Sequence, residues 1–166
     1  MSDSIRWGII GAGHIARTFA SDINYAPHAT LAAVASRELF RAQAFAGDFS
    51  IPTAYGSYDE ILADPNIDAI YIATPHSHHK DQSIAALRAG KSVLCEKPAT
   101  LTPAELEEVI AVAVQKQRYF MEGMWTYFMP VIQKAREGVD DGRIGKLCHV
   151  KAEFGFPMPY DPDSRV

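Results

Sequence analysis

A glycine-rich turn with the sequence GAGHIA lies near the amino terminus, between a short apolar run and a segment with helical periodicity. In this setting Gly11 permits a tight turn, Gly13 lets the backbone approach a pyrophosphate, and Ala16 allows the helix to pack closely on the strand. The helix begins at His14 and Ile15, where free N–H groups and the positive end of the helix dipole favour phosphate. The turn therefore predicts a dinucleotide-binding unit. Two alternatives are a turn that binds no ligand and a methyltransferase loop that binds an adenosyl group.

Apolar runs and helix-like segments alternate along most of the chain. The runs are short, as expected of buried strands, and the segments between them repeat apolar residues at helical spacing. The six predicted strands are 5–10, 30–35, 53–55, 67–73, 92–95 and 119–122. Strands that are separated by helices form a parallel sheet covered on both faces. The pattern predicts an α/β, doubly wound (Rossmann) sheet with the strand order 3-2-1-4-5-6.

The pattern changes after Glu122. Residues 130–138 are typical of one helix, and residues 146–156 alternate apolar and polar side chains, as in a strand with one wet face. A lone strand of this kind cannot bury its apolar face. We therefore predict an NAD(P)-binding domain over residues 1–122. Residues 123–166 would be a linker helix and the first strand of a truncated α+β domain for substrate binding or dimerisation.

Composition argues against several classes of function. The 166 residues carry a net charge of -4 without a basic cluster, so a nucleic-acid partner is not expected. No apolar run approaches the roughly 18 residues of a membrane span. The polar start is unlike a signal peptide, and a cytoplasmic protein is expected. The two cysteines, Cys95 and Cys148, lie in apolar strand-like runs, which favours buried free thiols over a disulfide.

The end of the second predicted strand decides which dinucleotide the site prefers. An NAD site usually has an acid there, which accepts hydrogen bonds from the ribose hydroxyls. Here the strand is followed by Ser36 and Arg37, and the nearest acid, Glu38, comes later. Ser36 and Arg37 can bind a 2′-phosphate through charge-assisted hydrogen bonds. We predict NADP as the cofactor, with NAD less favoured. The alternative is that Arg37 is a surface residue that starts the next helix.

Two further strand ends lie at the crevice where ligands bind in such sheets. The fourth strand is followed by Thr74, Pro75 and His76, and the fifth is followed by Glu96 and Lys97. Lys97 can polarise a substrate hydroxyl or contact the cofactor ribose. A solvated loop lysine is the equal alternative.

Three histidines and a tryptophan suggest further roles. His76, His78 and His79 are close in sequence, but their spacing is poor for a single zinc site and no cysteine or acid converges on them. We expect no metal and assign His76 or His79 to the nicotinamide side of the pocket or to the helix cap. Trp125 belongs to the aromatic cluster MWTYF after the last strand. This cluster is either packing between two domains or a wall of the substrate pocket.

Together these motifs resemble the glucose–fructose oxidoreductase/inositol dehydrogenase/MocA family over nearly all of the chain. The resemblance rests on the GAGHIA turn, Ala73-Thr74-Pro75-His76, Glu96-Lys97-Pro98 and Met124-Trp125-Thr126. Within the family, Trp125-Thr126 after Met121-Glu122 is similar to the subgroup of dimeric dihydrodiol dehydrogenase and NADP-dependent D-xylose dehydrogenase. Tyr127 departs from this subgroup, which often has arginine there.

The resemblance implies a two-domain NAD(P)-dependent oxidoreductase that transfers hydride between NADP and a hydroxyl-bearing carbon of a sugar or trans-dihydrodiol. Lys97 would be the catalytic lysine and Trp125 a substrate-pocket aromatic, and the Lys97–Pro98 peptide bond would be cis. The full-length protein would be a dimer. This chain alone would be inactive, because the second acid/base group would lie in the missing part. Relatives on the same scaffold leave two alternatives, a non-enzymatic NAD(P)-sensing regulator and an NAD-dependent glycosidase.

The predicted cofactor contacts come from all of these segments. They are Gly11, Gly13, His14, Ile15, Ala16, Ser36, Arg37, Thr74, Pro75, His76, His79, Glu96, Lys97 and Trp125. Lys97 is the predicted catalytic residue, and no metal ligand is predicted. A small-molecule substrate is the expected partner, without nucleic acid or membrane.

Overall fold

The computed structural model describes residues 4–155 and 157. Its strands form one parallel sheet in the order β3-β2-β1-β4-β5-β6, which confirms the predicted topology. The strands are β1 (Ile5–Ile10), β2 (Ala29–Ala35), β3 (Thr53–Tyr55), β4 (Ala69–Ile72), β5 (Ser92–Cys95) and β6 (Phe120–Glu122). The helices are α1 (His14–Asp22), α2 (Leu39–Phe49), α3 (Tyr58–Ala63), α4 (His79–Arg88), α5 (Pro103–Lys116) and α6 (Pro130–Asp140). Short 3₁₀ turns occupy Ile23–Tyr25, His76–His78 and Trp125–Phe128.

Helices on both faces explain why the central strands are apolar throughout. All residues of β4 are buried. Ile10 and Ile72 pack on the face that carries α3, α4 and α5. Val34 and Tyr71 pack on the face that carries α1 and α2. Burying each aliphatic side chain of this size contributes about 1.5–3 kcal/mol, so the core alone favours this layered arrangement.

Two basic residues hold the amino-terminal edge of the sheet. Arg6 of β1 donates from Nη2 and Nε to the carboxylate of Asp68, at 2.8 and 2.9 Å, and this pair lowers the pKa of Asp68 to about 2. Lys91 is buried and donates from Nζ to the carbonyl oxygens of Asp64 and Ile67, at 2.6 and 2.8 Å. Burial lowers the pKa of Lys91. These contacts fix the start of β4 and β5.

The chain divides into two compact units, residues 1–123 and residues 124–166. In the second unit, α6 confirms the predicted helix and extends it to Asp140. The strand predicted over residues 146–156 is wrong for residues 146–155, which form no strand and are exposed, and Phe156 lies outside the described residues. A strand needs a neighbour for its backbone N–H and C=O groups, and this part of the described chain offers none.

The two cysteines differ in their surroundings, and both are free. Cys95 is buried in β5, as predicted, and this burial raises the pKa of its thiol to about 12. Cys148 is exposed, so its predicted burial is wrong. The reason is that its segment does not join a sheet. Among the described residues, no helix combines the length and apolar character that crossing a membrane requires.

Candidate cofactor and active site

The glycine-rich turn joins β1 to α1 at the carboxyl edge of the sheet. Gly11 has φ +99°, and a Cβ on this residue would lie 2.8 Å from the carbonyl oxygen of Ala73. The fold itself therefore requires glycine at this position. A Cβ on Gly13 would meet only the same oxygen, at 3.9 Å. The space above Gly13 is thus open, which fits the close approach of a ligand.

The first turn of α1 presents its N–H groups without a side-chain cap. Gly13 is the N-cap residue, and no acidic side chain occupies the first turn. His14 and Ile15 are exposed, whereas Ala16 is fully buried against the sheet. Uncapped N–H groups at the positive end of a helix form a binding site for phosphate. Ala16 allows this helix to lie close to the strands.

At the tip of β2, Arg37 is not paired with Glu38, the acid that follows it in the sequence. Ser36 is buried, and its N–H donates to the carbonyl oxygen of Tyr55 at 3.2 Å. Arg37 is exposed and forms no ion pair within residues 4–155. Glu38 is the N-cap residue of α2, and its carboxylate pairs with Arg41, the Oε2 atom lying 2.5 Å from the arginine Nε. The carboxylate is therefore engaged by α2, and the guanidinium of Arg37 remains available.

A shallow cavity of about 330 Å³ adjoins this tip. It is lined by Arg37, Gly56, Ser57, Tyr58 and Asp59. Burial raises the pKa of Tyr58, and the positive charge of Arg37 opposes this effect. Besides the carboxylate of Asp59, the cavity combines a cation, a hydroxyl and an aromatic ring. Such a set suits an adenine ring and a phosphate on its ribose.

The residues after β4 lie beside the glycine turn. A Cβ on Gly11 would come within 3.0 Å of the Thr74 Cγ2 atom, so the two segments are in contact. The Thr74 hydroxyl donates to the side chain of Gln82. Thr74 and Pro75 are partly exposed, and His76 is exposed. These three residues can contact a bound ligand.

His79 occupies a different environment from the one predicted. It is fully buried, and each of its ring nitrogens lies within hydrogen-bond distance of a backbone carbonyl oxygen. Both ring nitrogens are therefore engaged within the protein, which disfavours the predicted direct contact between His79 and a cofactor. Within the described residues, no group of three or more His, Cys, Asp and Glu side chains is arranged to hold a metal ion.

The turn after β5 carries Lys97. Its neighbour Glu96 accepts a hydrogen bond from the Tyr71 hydroxyl at 2.7 Å, and the Lys97 N–H lies 3.3 Å from the other Glu96 oxygen. Burial and this hydrogen bond hold the pKa of Tyr71 well above its usual range. The peptide bond between Lys97 and Pro98 is cis, as predicted. Lys97 itself is exposed, so its ammonium group is accessible.

Two residues that hydrogen-bond to the Lys97 turn were not predicted from the sequence. Tyr71 lies inside the buried strand β4, where the sequence pattern predicts only an aromatic residue of the core. Glu122 ends β6 and accepts a hydrogen bond from the Ala99 N–H at 2.8 Å. The rule that ligand-side residues follow parallel strands could have identified Glu122. Nothing in the sequence pattern indicates that Tyr71 reaches Glu96.

The second unit supplies one predicted site residue. Trp125 begins a 3₁₀ turn and is 54% exposed. Within the same unit, the guanidinium of Arg136 lies over the ring of Tyr127, 4.8 Å from its centroid. Contact between Trp125 and a cofactor remains a prediction.

A larger cavity, of about 970 Å³, lies at the amino-terminal edge of the sheet. Its lining includes Trp7, Lys91, Leu94, Arg118 and Met121, and it contains none of the predicted site residues. Ligands of open parallel sheets bind at the carboxyl ends of the strands. We therefore place the candidate site at the opposite edge, despite the smaller cavity there.

The family comparison agrees with this geometry. Residues 5–124 match the GFO/IDH/MocA model, which describes an oxidoreductase family with an NAD-binding Rossmann fold. The chain belongs to this family. Its sheet has the order β3-β2-β1-β4-β5-β6 and carries the GAGHIA turn and the Glu-Lys-Pro segment on one edge.

Curated relatives are similar along nearly the whole chain. Trans-1,2-dihydrobenzene-1,2-diol dehydrogenase of Mus musculus is 44% identical over 161 residues, which cover 96% of this chain and 48% of the relative. The Bos taurus enzyme is 42% identical over 92% of this chain and 46% of its own length, and the Homo sapiens enzyme is 40% identical over 96% and 48%. The chain thus spans about half the length of the curated relatives it matches.

Solved structures of the family share the fold. The 3-ketoreductase KijD10 from Actinomadura kijaniata, crystallised with NADP and TDP-benzene, aligns with TM-score 0.80 and 31% identity over 84% of this chain and 43% of that one. Scyllo-inositol dehydrogenase from Lactobacillus casei, with bound NAD(H) and scyllo-inositol, aligns with TM-score 0.79 and 29% identity over 86% and 43%. One neighbour is bound to NADP and the other to NAD(H).

Proposed function

We propose that this chain is the cofactor domain of an NADP(H)-dependent dehydrogenase that acts on a hydroxyl-bearing carbon of a trans-dihydrodiol or sugar-like substrate. Residues 1–122 would bind the dinucleotide, and residues 123–166 would begin a substrate or dimerisation domain. The support for the reaction class is similarity to relatives named as dihydrodiol dehydrogenases. A cytoplasmic location and a dimeric full-length protein remain predictions of the sequence.

One observation carries the choice of NADP. Arg37 is exposed beside the cavity at the tip of β2, while Glu38, the acid that could bind ribose hydroxyls, pairs with Arg41. A guanidinium without an internal carboxylate partner favours a 2′-phosphate, which it can bind through two parallel hydrogen bonds. Asp59 also lines the cavity and opposes this preference. Both side chains of the Glu38–Arg41 pair are more than half exposed, so the pair biases the choice only modestly.

The remaining residues fit the rest of the cofactor. The open space above Gly13 and the uncapped start of α1 suit the pyrophosphate. Thr74, Pro75 and His76 would border the cofactor between there and the Glu96–Lys97 turn. When bound, the nicotinamide ring accepts or supplies the hydride. Lys97 would donate a hydrogen bond to the substrate oxygen and stabilise negative charge that develops on it.

Equilibrium titration of the purified chain with NADPH and NADH tests the proposal. We expect NADPH to bind about 5- to 150-fold more tightly, the equivalent of about 1–3 kcal/mol from one or two charge-assisted hydrogen bonds. Arg37→Ala should remove most of this preference and leave NADH binding nearly unchanged. Arg88→Ala is the matched control, because it removes the same charge from the last turn of α4, at the opposite edge of the sheet.

The two possible failures are distinct. Equal affinities for NADPH and NADH would refute the role of Arg37 but keep a dinucleotide site. No binding of either cofactor, by a chain that unfolds cooperatively on heating, would refute the cofactor domain itself.

A further inference from the structure

His79 connects the two strand ends that carry the reaction-side residues. It is the first residue of α4 and is fully buried. Its Nδ1 atom lies 2.7 Å from the carbonyl oxygen of Pro98, and its Nε2 atom lies 2.9 Å from the carbonyl oxygen of Thr74. The ring thus spans from the segment after β4 to the Lys97 turn after β5.

Both partners of the ring are acceptors. A neutral imidazole has one N–H donor and one lone pair, whereas the imidazolium form has two donors. A lone pair that faced a carbonyl oxygen at this distance would be repelled and would leave a buried acceptor unsatisfied. The geometry is therefore satisfied only when both ring nitrogens carry a proton. We infer that His79 is a positioning residue that donates from both ring nitrogens and so holds the Lys97 turn against the Thr74 segment.

A carboxylate lies at the far end of the same hydrogen-bonded path. The peptide group between Pro98 and Ala99 accepts from His79 through its oxygen and donates from its N–H to Glu122 Oε1, at 2.8 Å. Hydrogen bonds in such a chain polarise one another and strengthen each bond. Glu122 thus supplies negative charge across one peptide unit from the imidazolium, which offsets part of the penalty for burying a cation. A second titratable ring, that of the exposed His76, lies nearby, with its centroid 5.5 Å from that of His79.

The turn around Lys97 is consequently held at three points. Tyr71 binds the carboxylate of Glu96, His79 binds the carbonyl of Pro98, and Glu122 binds the N–H of the next residue. Lys97 is the exposed residue between these anchors. Loss of the His79 anchor should therefore disturb the nicotinamide half of the site, while the glycine turn and the tip of β2 keep their contacts. This consequence rests on the proposed cofactor site.

The protonation of the ring can be measured directly. In the whole chain labelled with ¹⁵N and ¹³C, long-range proton–nitrogen correlation reads both ring nitrogens of each histidine, and through-bond correlation assigns His79 without any variant. At neutral pH we expect both ring nitrogens of His79 to have the chemical shifts of protonated nitrogen. A single neutral tautomer would overturn the inference. This measurement does not depend on cofactor binding, so it stays decisive if the proposed function fails.

If His79 positions the Lys97 turn, its loss should weaken the binding of a ligand that carries the nicotinamide but not of one that lacks it. His79→Gln keeps a polar side chain but cannot bridge both carbonyls, and His79→Phe keeps the ring volume without donors. Either variant should bind NADPH about 10-fold more weakly, the loss expected when a displaced Lys97 no longer donates one charge-assisted hydrogen bond to the cofactor. Both should bind 2′-phospho-ADP-ribose, which lacks the nicotinamide, as tightly as the unmodified chain. His78→Gln changes the exposed neighbour and should alter neither affinity. Equal weakening of both ligands, or no weakening of either, would refute the positioning role.

Discussion

Alanine substitutions at Gly11 and Gly13 should have different effects, because the fold requires the first glycine and ligand binding requires the second. Gly11→Ala places a Cβ 2.8 Å from the Ala73 carbonyl oxygen on a backbone with φ +99°. Backbone strain of this kind costs about 1–3 kcal/mol, and an overpacked contact costs about 1–3 kcal/mol more. We expect the free energy of unfolding to fall by about 2–6 kcal/mol. For a domain of this size, that lowers Tm by about 5–20 °C.

Gly13→Ala should behave in the opposite way. Gly13 has φ −90° and ψ −174°, which any residue adopts, and its new Cβ would come no closer than 3.9 Å to the rest of the protein. Reduced freedom of the unfolded chain favours alanine, whereas the N-cap position disfavours it. We expect the stability to change by less than about 1 kcal/mol. The methyl group would fill the space left for the pyrophosphate, so NADPH should bind about 10- to 100-fold more weakly.

Thermal unfolding and NADPH titration of the two variants form the assay. The expected pattern is a large fall in Tm for Gly11→Ala and, for Gly13→Ala, a large loss of affinity with little change in Tm. Unchanged Tm in Gly11→Ala would refute the steric argument for that glycine. Affinity equal to that of the original chain in Gly13→Ala would show that no ligand approaches the backbone there, and the assignment of the phosphate site would be wrong.

The amino-terminal edge of the sheet gives two predictions about stability. The pKa of Asp68 is lowered in the folded state by Arg6, so this carboxylate stabilises the fold above pH 4 and loses its effect as the pH falls towards 2. Asp68→Asn should lower the stability at pH 7 by about 1 kcal/mol, a small value because both side chains of the pair are partly exposed. The difference in Tm between the original chain and the variant should shrink between pH 4 and pH 2. A difference that stays constant over this range would contradict the role of the Asp68 carboxylate. Lys91→Met should lower the stability by about 1–3 kcal/mol, because the carbonyls of Asp64 and Ile67 would lose their donor in a buried site. Chemical denaturation measures this loss, and a neutral outcome would mean that water or the backbone replaces the ammonium group.

Periodicity and turn chemistry were sufficient to predict the sheet. Each strand of the first unit is a short apolar run that ends near glycine, proline or a polar residue. The order of the strands follows from the general rules for alternating strands and helices. The predicted bounds differ from the observed ones by at most two residues. The strand predicted over residues 146–156 failed for residues 146–155, because alternation alone supplies no neighbour to pair with.

The site was predictable where it depends on local sequence. Gly11, Gly13 and Arg37 lie within three residues of a strand end, so their place at the carboxyl edge comes from topology alone. The bridging role of His79 depends on a contact with Pro98, 19 residues away, and a list of nearby histidines does not reveal it. The pairing of Tyr71 with Glu96 is likewise a contact between neighbouring strands, and only the assembled sheet brings the two side chains together.

The position of Arg37 has a consequence for how this scaffold can diversify. The residue lies outside the hydrophobic core, on an exposed tip whose backbone is fixed by the buried Ser36 and by the N-cap of α2. Under the proposed function, substitutions at this tip would alter which coenzyme pool of the cell the protein draws upon, without loosening the packing beneath it. Selection would then be able to move a descendant between reductive and oxidative metabolism through a few surface changes, while the buried sheet stays constant.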